Sequence, residues 1–266
     1  MTRRRLDAEL VRRGLARTRT EAQDAVRNGL VVVGGRPVSK PSTLIRQDEA
    51  LRLAGPPRRY VSRGGDKLDA ALDRFGLAVA GRDALDAGAS TGGFSDCLLQ
   101  RGAARVVAVD VGYGQLAWTL RRDARVTLLE RTNVRDLVPA DLPFVPQVVV
   151  GDLSFISLRL VLPALAGVAM EGADLVLLVK PQFEAERKDV GAHGVVRDPG
   201  VWHRALEQVA AACEASEAMP DQAMASPLLG PAGNVEFFIH AVKGGRAQAP
   251  DLAGAIGEGL RIGGGA

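Results

Sequence analysis

The segment Leu85–Asp96, LDAGASTGGFSD, places Asp86 near the end of an apolar run and follows it with Gly88, Gly92 and Gly93. A loop of this kind lets a ligand approach the backbone closely and meet its N–H groups at the start of a helix. The glycine spacing is Gly-x-x-x-Gly-Gly, not the Gly-x-Gly-x-x-Gly of dinucleotide folds, and no Lys-Ser/Thr pair completes a phosphate-binding loop. Asp86 would repel a pyrophosphate and attract a cationic amino acid group. S-adenosylmethionine carries an ammonium and a sulfonium and no phosphate, so it fits that charge. Asp110 closes the next apolar run, VVAVD, where a carboxylate can accept both hydroxyl protons of a ribose. Singly, Asp86 and Asp110 read as ordinary polar strand ends. Together with Gly88, Ala89, Ser90, Gly92 and Gly93 they form a candidate cofactor site.

These residues need a frame to hold them. From Lys67 onward the pattern alternates helix and strand: DKLDAALDRFG, DALDAGAS, TGGFSDCLLQRG and ARVVAVDVG, then the apolar runs VTLLE, QVVVGD and DLVLLVK. Helices fit at LRLVLPALAGVAM and PGVWHRALEQVAAACEA, and NVEFFIHAV closes the series as a strand. Such alternation predicts an α/β fold, a doubly wound sheet buried on both faces. Ligands of these folds sit at the carboxyl edge of the strands, where Asp152 and Lys180 also fall. The tail after Lys243, rich in Gly and Ala, is expected to be weakly ordered or a short helix.

The preceding residues differ in character. Residues 1–60 hold 14 Lys and Arg against 6 Asp and Glu, a balance of +8, whereas the remainder holds 20 against 25, a balance of −5. A basic head on an acidic body points to a polyanion-binding module. Its sequence predicts a small α+β unit: helices through RRRLDAELVRRG and from Thr20 to Gly29, two strands around the turn of LVVVGGRPV, and a closing strand at EALRLAG. Arg3, Arg4, Arg12, Arg13, Arg17 and Arg19 would surround the two helices and suit a phosphate backbone. No aromatic platform for base stacking is present in the head. The expected divisions are a nucleic-acid-binding head at 1–57, a basic linker at 58–66, the α/β domain at 67–243 and a C-terminal extension at 244–266.

Several classes are disfavoured. No apolar run reaches the length of a membrane span and MTRRRLDAEL lacks the apolar core of a secretion signal, so a cytoplasmic protein is the expectation. Cys97 and Cys213 lack zinc-ligand spacing and read as packing residues, and no His, Cys and carboxylate set suggests a metal.

The blocks VSRGGDKLDAAL, LDAGASTGGFSDCLLQRGA, VVAVDVGYGQLAWTLRRDARV, ERTNVRDL, GDLSFISL, LVKPQFE and NVEFF resemble the TlyA family, ribosomal RNA ribose methyltransferases also called haemolysin A. The likeness runs from the first residues to about Lys243, with Asp66 at the variable position of the SRGGxKL block. It implies an FtsJ-type, Rossmann-like S-adenosylmethionine-dependent methyltransferase domain behind an αL RNA-binding module similar to one in a small-subunit ribosomal protein. The implied reaction moves a methyl group from S-adenosylmethionine to the 2′-hydroxyl of a cytidine in ribosomal RNA. Within the family, longer N- and C-terminal ends accompany action on both subunit RNAs, which the arginine-rich start and the tail favour here. Asn133 stands where related enzymes carry an acidic residue near the adenine. The family's Lys-Asp-Lys-Glu tetrad maps onto Lys67, Asp152, Lys180 and Glu236.

A ribose hydroxyl is a weak nucleophile, so its oxygen must be aligned with the methyl group and relieved of its proton. Desolvation of Lys180 after LVLLV, and repulsion from Lys67, would favour a neutral amine able to act as general base. Asp152 and Glu236 would orient the two lysines. Whether Lys180 takes the proton or positions the hydroxyl stays open at the level of sequence. The plain readings are a snorkelling strand end for Lys180 and a solvated helix start for Lys67. His203 reads as a helix-face residue and His240 as a strand residue alternating with Phe238. His193 lies in a polar loop that could cover substrate. Two other functions compete with this one: a non-catalytic ribosome-binding or assembly factor with a vestigial cofactor pocket, and a membrane-lytic haemolysin. Cofactor binding without turnover would mark the first and vesicle lysis the second.

Overall fold

The computed structural model describes residues 3–16, 18–27, 29–54, 59–246 and 248–264. The chain divides into two units, 1–58 and 59–266.

In the first unit, α1 (Leu6–Arg12) and α2 (Arg19–Arg27) enclose a small core of Leu6, Leu10, Ala22, Val26, Val31 and Ile45. Two small sheets complete it. Strand β1 (Arg3–Arg5) pairs antiparallel with β4 (Leu44–Arg46), and β2 (Val31–Val33) lies between β3 (Arg36–Pro37) and β5 (Leu51–Leu53). The Val33–Arg36 pairing leaves Gly34 and Gly35 as a two-residue hairpin loop with φ of 55° and 84°, values a side chain would resist. The expected hairpin and closing strand are present. The expected helix through Arg3 is not, because Arg3–Arg5 pairs with a strand about forty residues away and the helical apolar face begins only at Leu6.

The second unit is a seven-stranded sheet flanked by helices. Its strands are β6 (Asp83–Ala87), β7 (Arg105–Asp110), β8 (Val126–Glu130), β9 (Val148–Gly151), β10 (Asp174–Val179), β11 (Ala218–Ala225) and β12 (Phe237–Lys243), in spatial order β11-β12-β10-β9-β6-β7-β8. All pairings are parallel except those of β12. Side chains alternate between two cores. Val107, Val109, Leu175, Leu177 and Val179 face α6 (Leu162–Val168) and α8 (Pro199–Ala215), whereas Val106, Ala108, Val176 and Leu178 face α3 (Arg63–Phe75) and α4 (Gly93–Gln100). Short helices α5 (Trp118–Arg121) and α7 (Pro181–Glu184) follow β7 and β10. The chain leaves β6 for β7 and β8, then crosses back to β9, so the order reverses between β6 and β9. This is where such sheets open a ligand crevice.

Three details depart from the sequence reading. Arg63–Asp66 belongs to α3, whose N-cap Ser62 accepts a bond from Gly64 N, so the expected linker at 58–66 ends earlier. The tail forms α9 (Leu252–Gly263), the helix being one of the two forms expected, but it is capped by Asp251 and packed on β11 and α8 and so is part of the second unit and no separate extension. Strand β11, AMPDQAMA, was not foreseen. Pro220 sits at its register shift, on an edge strand where a missing N–H is tolerated.

Candidate active site

A cleft of about 460 Å³ opens at the switch point, within the usual size of small-molecule sites. Gly88, Ser90, Asp110, Asn133, Asp152 and Ser154 supply its polar lining, and Val111, Leu153, Ile156 and Val161 its apolar wall. Gly88 has φ of 83°, and a Cβ there would stand 2.9 Å from the Asp152 carbonyl oxygen. Only glycine allows the two strand-end loops to meet at that distance.

The other loop residues do different work from that expected. Ala89, Gly92 and Gly93 are buried behind the cleft and do not line it. A Cβ on Gly93 would fall 2.1 Å from Ser62 Oγ and 2.9 Å from Gly65 N, so this glycine lets α4 approach the start of α3. Asp86 is also absent from the lining. It is fully buried, and its Oδ2 accepts bonds from Ser95 N at 2.8 Å and Ser95 Oγ at 2.6 Å. It therefore ties the first turn of α4 to β6 beneath the loop. Burial pushes its carboxyl up to about 7, with further repulsion from Asp152 and Asp110.

Asp110 joins two loops. Its Oδ2 accepts from Ser90 N at 2.7 Å and its Oδ1 from Gly112 N at 2.6 Å. A carboxylate has further lone pairs, so these bonds leave acceptor capacity for ribose hydroxyls. Asn133 uses its Oδ1 to cap the turn at Arg135 N, 3.2 Å away, which leaves its amide N–H groups for a ligand. Among the described residues no Lys or Arg lines the cleft, and Asp86 Oδ1 is a buried acceptor without a partner. Asp110 has no ion-pair partner among the described residues, which suits a positively charged adenosyl ligand and disfavours a phosphate. The residues present fit S-adenosylmethionine.

The four tetrad candidates form two ion pairs. Lys180 directly follows β10 and Asp152 directly follows β9; Lys180 Nζ lies 2.7 Å from Asp152 Oδ1 and donates to Ser154 Oγ at 2.8 Å. Glu236 directly precedes β12, and its Oε2 accepts from Lys67 Nζ at 2.5 Å. The register pairs Val179 with Phe237, so Lys180 and Glu236 are the next residues beyond that pair at the same sheet edge. Lys67 and Lys180 are 6% and 9% exposed, so neither is the solvated or snorkelling lysine of the plain readings.

Sequence reasoning missed Ser154 and Glu184. Glu184, buried on α7, accepts from Ser157 Oγ at 2.5 Å and Leu158 N at 2.7 Å and so pins the loop that carries Ser154. The block SFIS was visible, but nothing local marks its partners. The histidines lie elsewhere. His203 pairs with Glu207 on α8, and His240 is buried between Asp174 and Asp221 at the far end of β10. His193 has φ of 61° in the loop after α7, whose Gly194 and Val196 are held by Asn234.

In the first unit the arginines are less free than expected. Asp7 and Glu9 are buried at the start of α1 and must be paired. Arg5, Gln23 and Arg19 reach Asp7; Arg12 and Arg13 reach Glu9. The Arg12 guanidinium leads the effects that bring the Glu9 carboxyl down to about 2. Arg13 also donates to the carbonyls of Glu49 and Gln47, so its role is structural. Arg3, Arg4, Arg12 and Arg19 remain exposed at the surface, and Arg17 lies outside the described residues.

Comparison with known proteins accounts for both units. Residues 60–243 match the FtsJ-like methyltransferase family and residues 4–51 the S4 domain. The chain is 53% identical over 238 residues to the 16S/23S rRNA (cytidine-2′-O)-methyltransferase TlyA of Mycobacterium tuberculosis, covering 89% of each. The chain belongs to the TlyA family. Another relative, hemolysin A of Brachyspira hyodysenteriae, is 37% identical over 89% of this chain and 98% of its own. A solved structure of a hemolysin-named protein from Streptococcus thermophilus superimposes with a TM-score of 0.80 at 40% identity, covering 98% of this chain and 97% of that one. TlyA-family membership makes this chain a methyltransferase, and its sheet is that of S-adenosylmethionine-dependent enzymes. No helix among the described residues is long and apolar enough to cross a membrane.

Proposed function

We propose that this chain transfers a methyl group from S-adenosylmethionine to the 2′-hydroxyl of a cytidine in ribosomal RNA of both subunits. The observation that carries the reading is the pair of ion pairs, Lys180–Asp152 and Lys67–Glu236, at the sheet edge beside the cleft. When bound, S-adenosylmethionine supplies an electrophilic methyl group on its sulfonium. Asp110 would accept the ribose hydroxyls, Asn133 would meet the adenine, and Gly88, with no side chain, would let the cofactor approach the loop. Asp86 acts from below, by fixing the start of α4. Lys180 is the group that addresses the substrate hydroxyl: as an amine it takes the proton, as an ammonium it orients the oxygen. Asp152 holds Lys180, and Glu236 holds Lys67.

The S4 domain presents Arg3, Arg4, Arg12 and Arg19 to the RNA backbone. Action on both subunit RNAs is favoured by likeness: the relative named for 16S and 23S RNA is 53% identical, whereas one named for 23S RNA alone, from Campylobacter jejuni, is 33% identical. The test is to incubate purified protein and S-adenosylmethionine with each ribosomal subunit and map ribose methylation. One new 2′-O-methylcytidine in each RNA is the expected result. Cofactor binding with no methylation of either would defeat the reading.

A further inference from the structure

Lys180 has two partners of different kinds. Asp152 Oδ1 lies 2.7 Å from Nζ, an ion pair that holds the amine at the sheet edge. The hydrogen bond from Nζ goes to Ser154 Oγ, at 2.8 Å. Asp152 and Ser154 together fix where the charge sits and which way the amine faces. A lysine tip otherwise turns freely about its last bond.

Ser154 can do this because the loop that carries it is anchored. The next residue, Phe155, has φ of 65°, a left-handed conformation that turns the chain sharply there and that bulky residues rarely adopt. The Phe155 ring, 91% exposed, touches Phe183 of α7 only at its rim, with centroids 5.3 Å apart, whereas Glu184 of α7 holds Ser157 and Leu158. Lys180 is the N-cap of that same helix. The loop and the lysine are therefore fastened to one short element, and Ser154 lines the cleft beside Asp152.

We propose that Ser154 is a positioning residue for methyl transfer. Its Oγ occupies one of the three directions around Nζ, Asp152 takes a second, and the third is left for the 2′-hydroxyl. The proposal rests on the assignment of Lys180 given above and adds a determinant of its geometry.

The experiment compares the full-length protein with Ser154→Ala, Lys180→Ala and the double variant, by single-turnover methylation of ribosomal subunits and calorimetry with S-adenosylmethionine. Ser154→Ala should slow transfer about tenfold, the scale of one bond to a charged group, with cofactor affinity within about twofold of the parent. In the double variant the loss should equal that of Lys180→Ala alone, because a residue acting through Lys180 contributes nothing once Lys180 is gone. An undiminished rate in Ser154→Ala beside an inactive Lys180→Ala overturns this proposal and leaves the assigned function intact. Multiplied losses in the double variant, or an equal loss of cofactor affinity, also overturn it. A fully active Lys180→Ala overturns the assignment on which it stands.

Discussion

Lys67 and Glu236 stand 169 residues apart in the chain and 2.5 Å apart in the fold, with side chains 7% and 1% exposed. The pair binds α3 to the start of β12 in the active site. Removing one partner leaves the other charge buried without compensation. Glu236→Ala should therefore lower stability by roughly 3 kcal/mol as well as activity. Urea unfolding alongside a methylation assay checks this, and an unchanged midpoint would show that the pair contributes nothing to the fold.

Lys180 should behave differently. Lys180→Ala should bind S-adenosylmethionine and RNA much as the parent does, yet lose methyl transfer by roughly a hundredfold, the scale of general-base removal. Lys180→Arg should not restore the rate, because a guanidinium stays protonated. If the arginine variant is fully active, the requirement is for positive charge alone.

Asp86 predicts a pH dependence of stability. Its carboxyl is pushed up to about 7 in the folded protein, above the usual carboxylate range of about 4. Between those values the folded chain keeps a proton that the unfolded chain has lost, so this group's contribution falls as pH rises toward 7. Asp86→Asn cannot ionise and keeps an oxygen acceptor for Ser95. Relative to the parent, its melting temperature should climb from pH 4 to pH 7 and level off above. A constant difference across that range would contradict the raised carboxyl.

The arginines of the S4 domain should separate into two kinds. Arg13 answers buried Glu9 and two carbonyl groups, so Arg13→Ala should unfold this unit at lower urea. Arg3→Ala and Arg4→Ala should leave unfolding unchanged, weaken RNA binding and flatten its dependence on salt, since each lost phosphate contact releases fewer counterions. Filter binding across a salt series measures the slope. Equal slopes in parent and variants would remove Arg3 and Arg4 from the RNA surface.

What the sequence determined by itself was whatever depends on neighbours along the chain. The two-residue period that sends Val107 and Val109 to one core and Val106 and Ala108 to the other is written into the strand. So are the Gly34-Gly35 turn, the limits of α8 and the strand-end positions of Asp110, Asp152 and Lys180. The tertiary structure decided whatever depends on a distant partner. Arg3–Arg5 became a strand because Leu44–Arg46 lies beside it, and AMPDQAMA became one because β12 offers it an edge. Asp86 lies beneath the cleft because Ser95 satisfies it there, Gly93 serves the approach of α3, and Arg13 is held by Glu9. Ser154 gained its place beside Lys180 from Glu184, across a bend that no local pattern encodes. Backbone preferences and side-chain periodicity act over a few residues, whereas buried charges and hydrogen bonds are settled only by what the fold brings within about 3 Å.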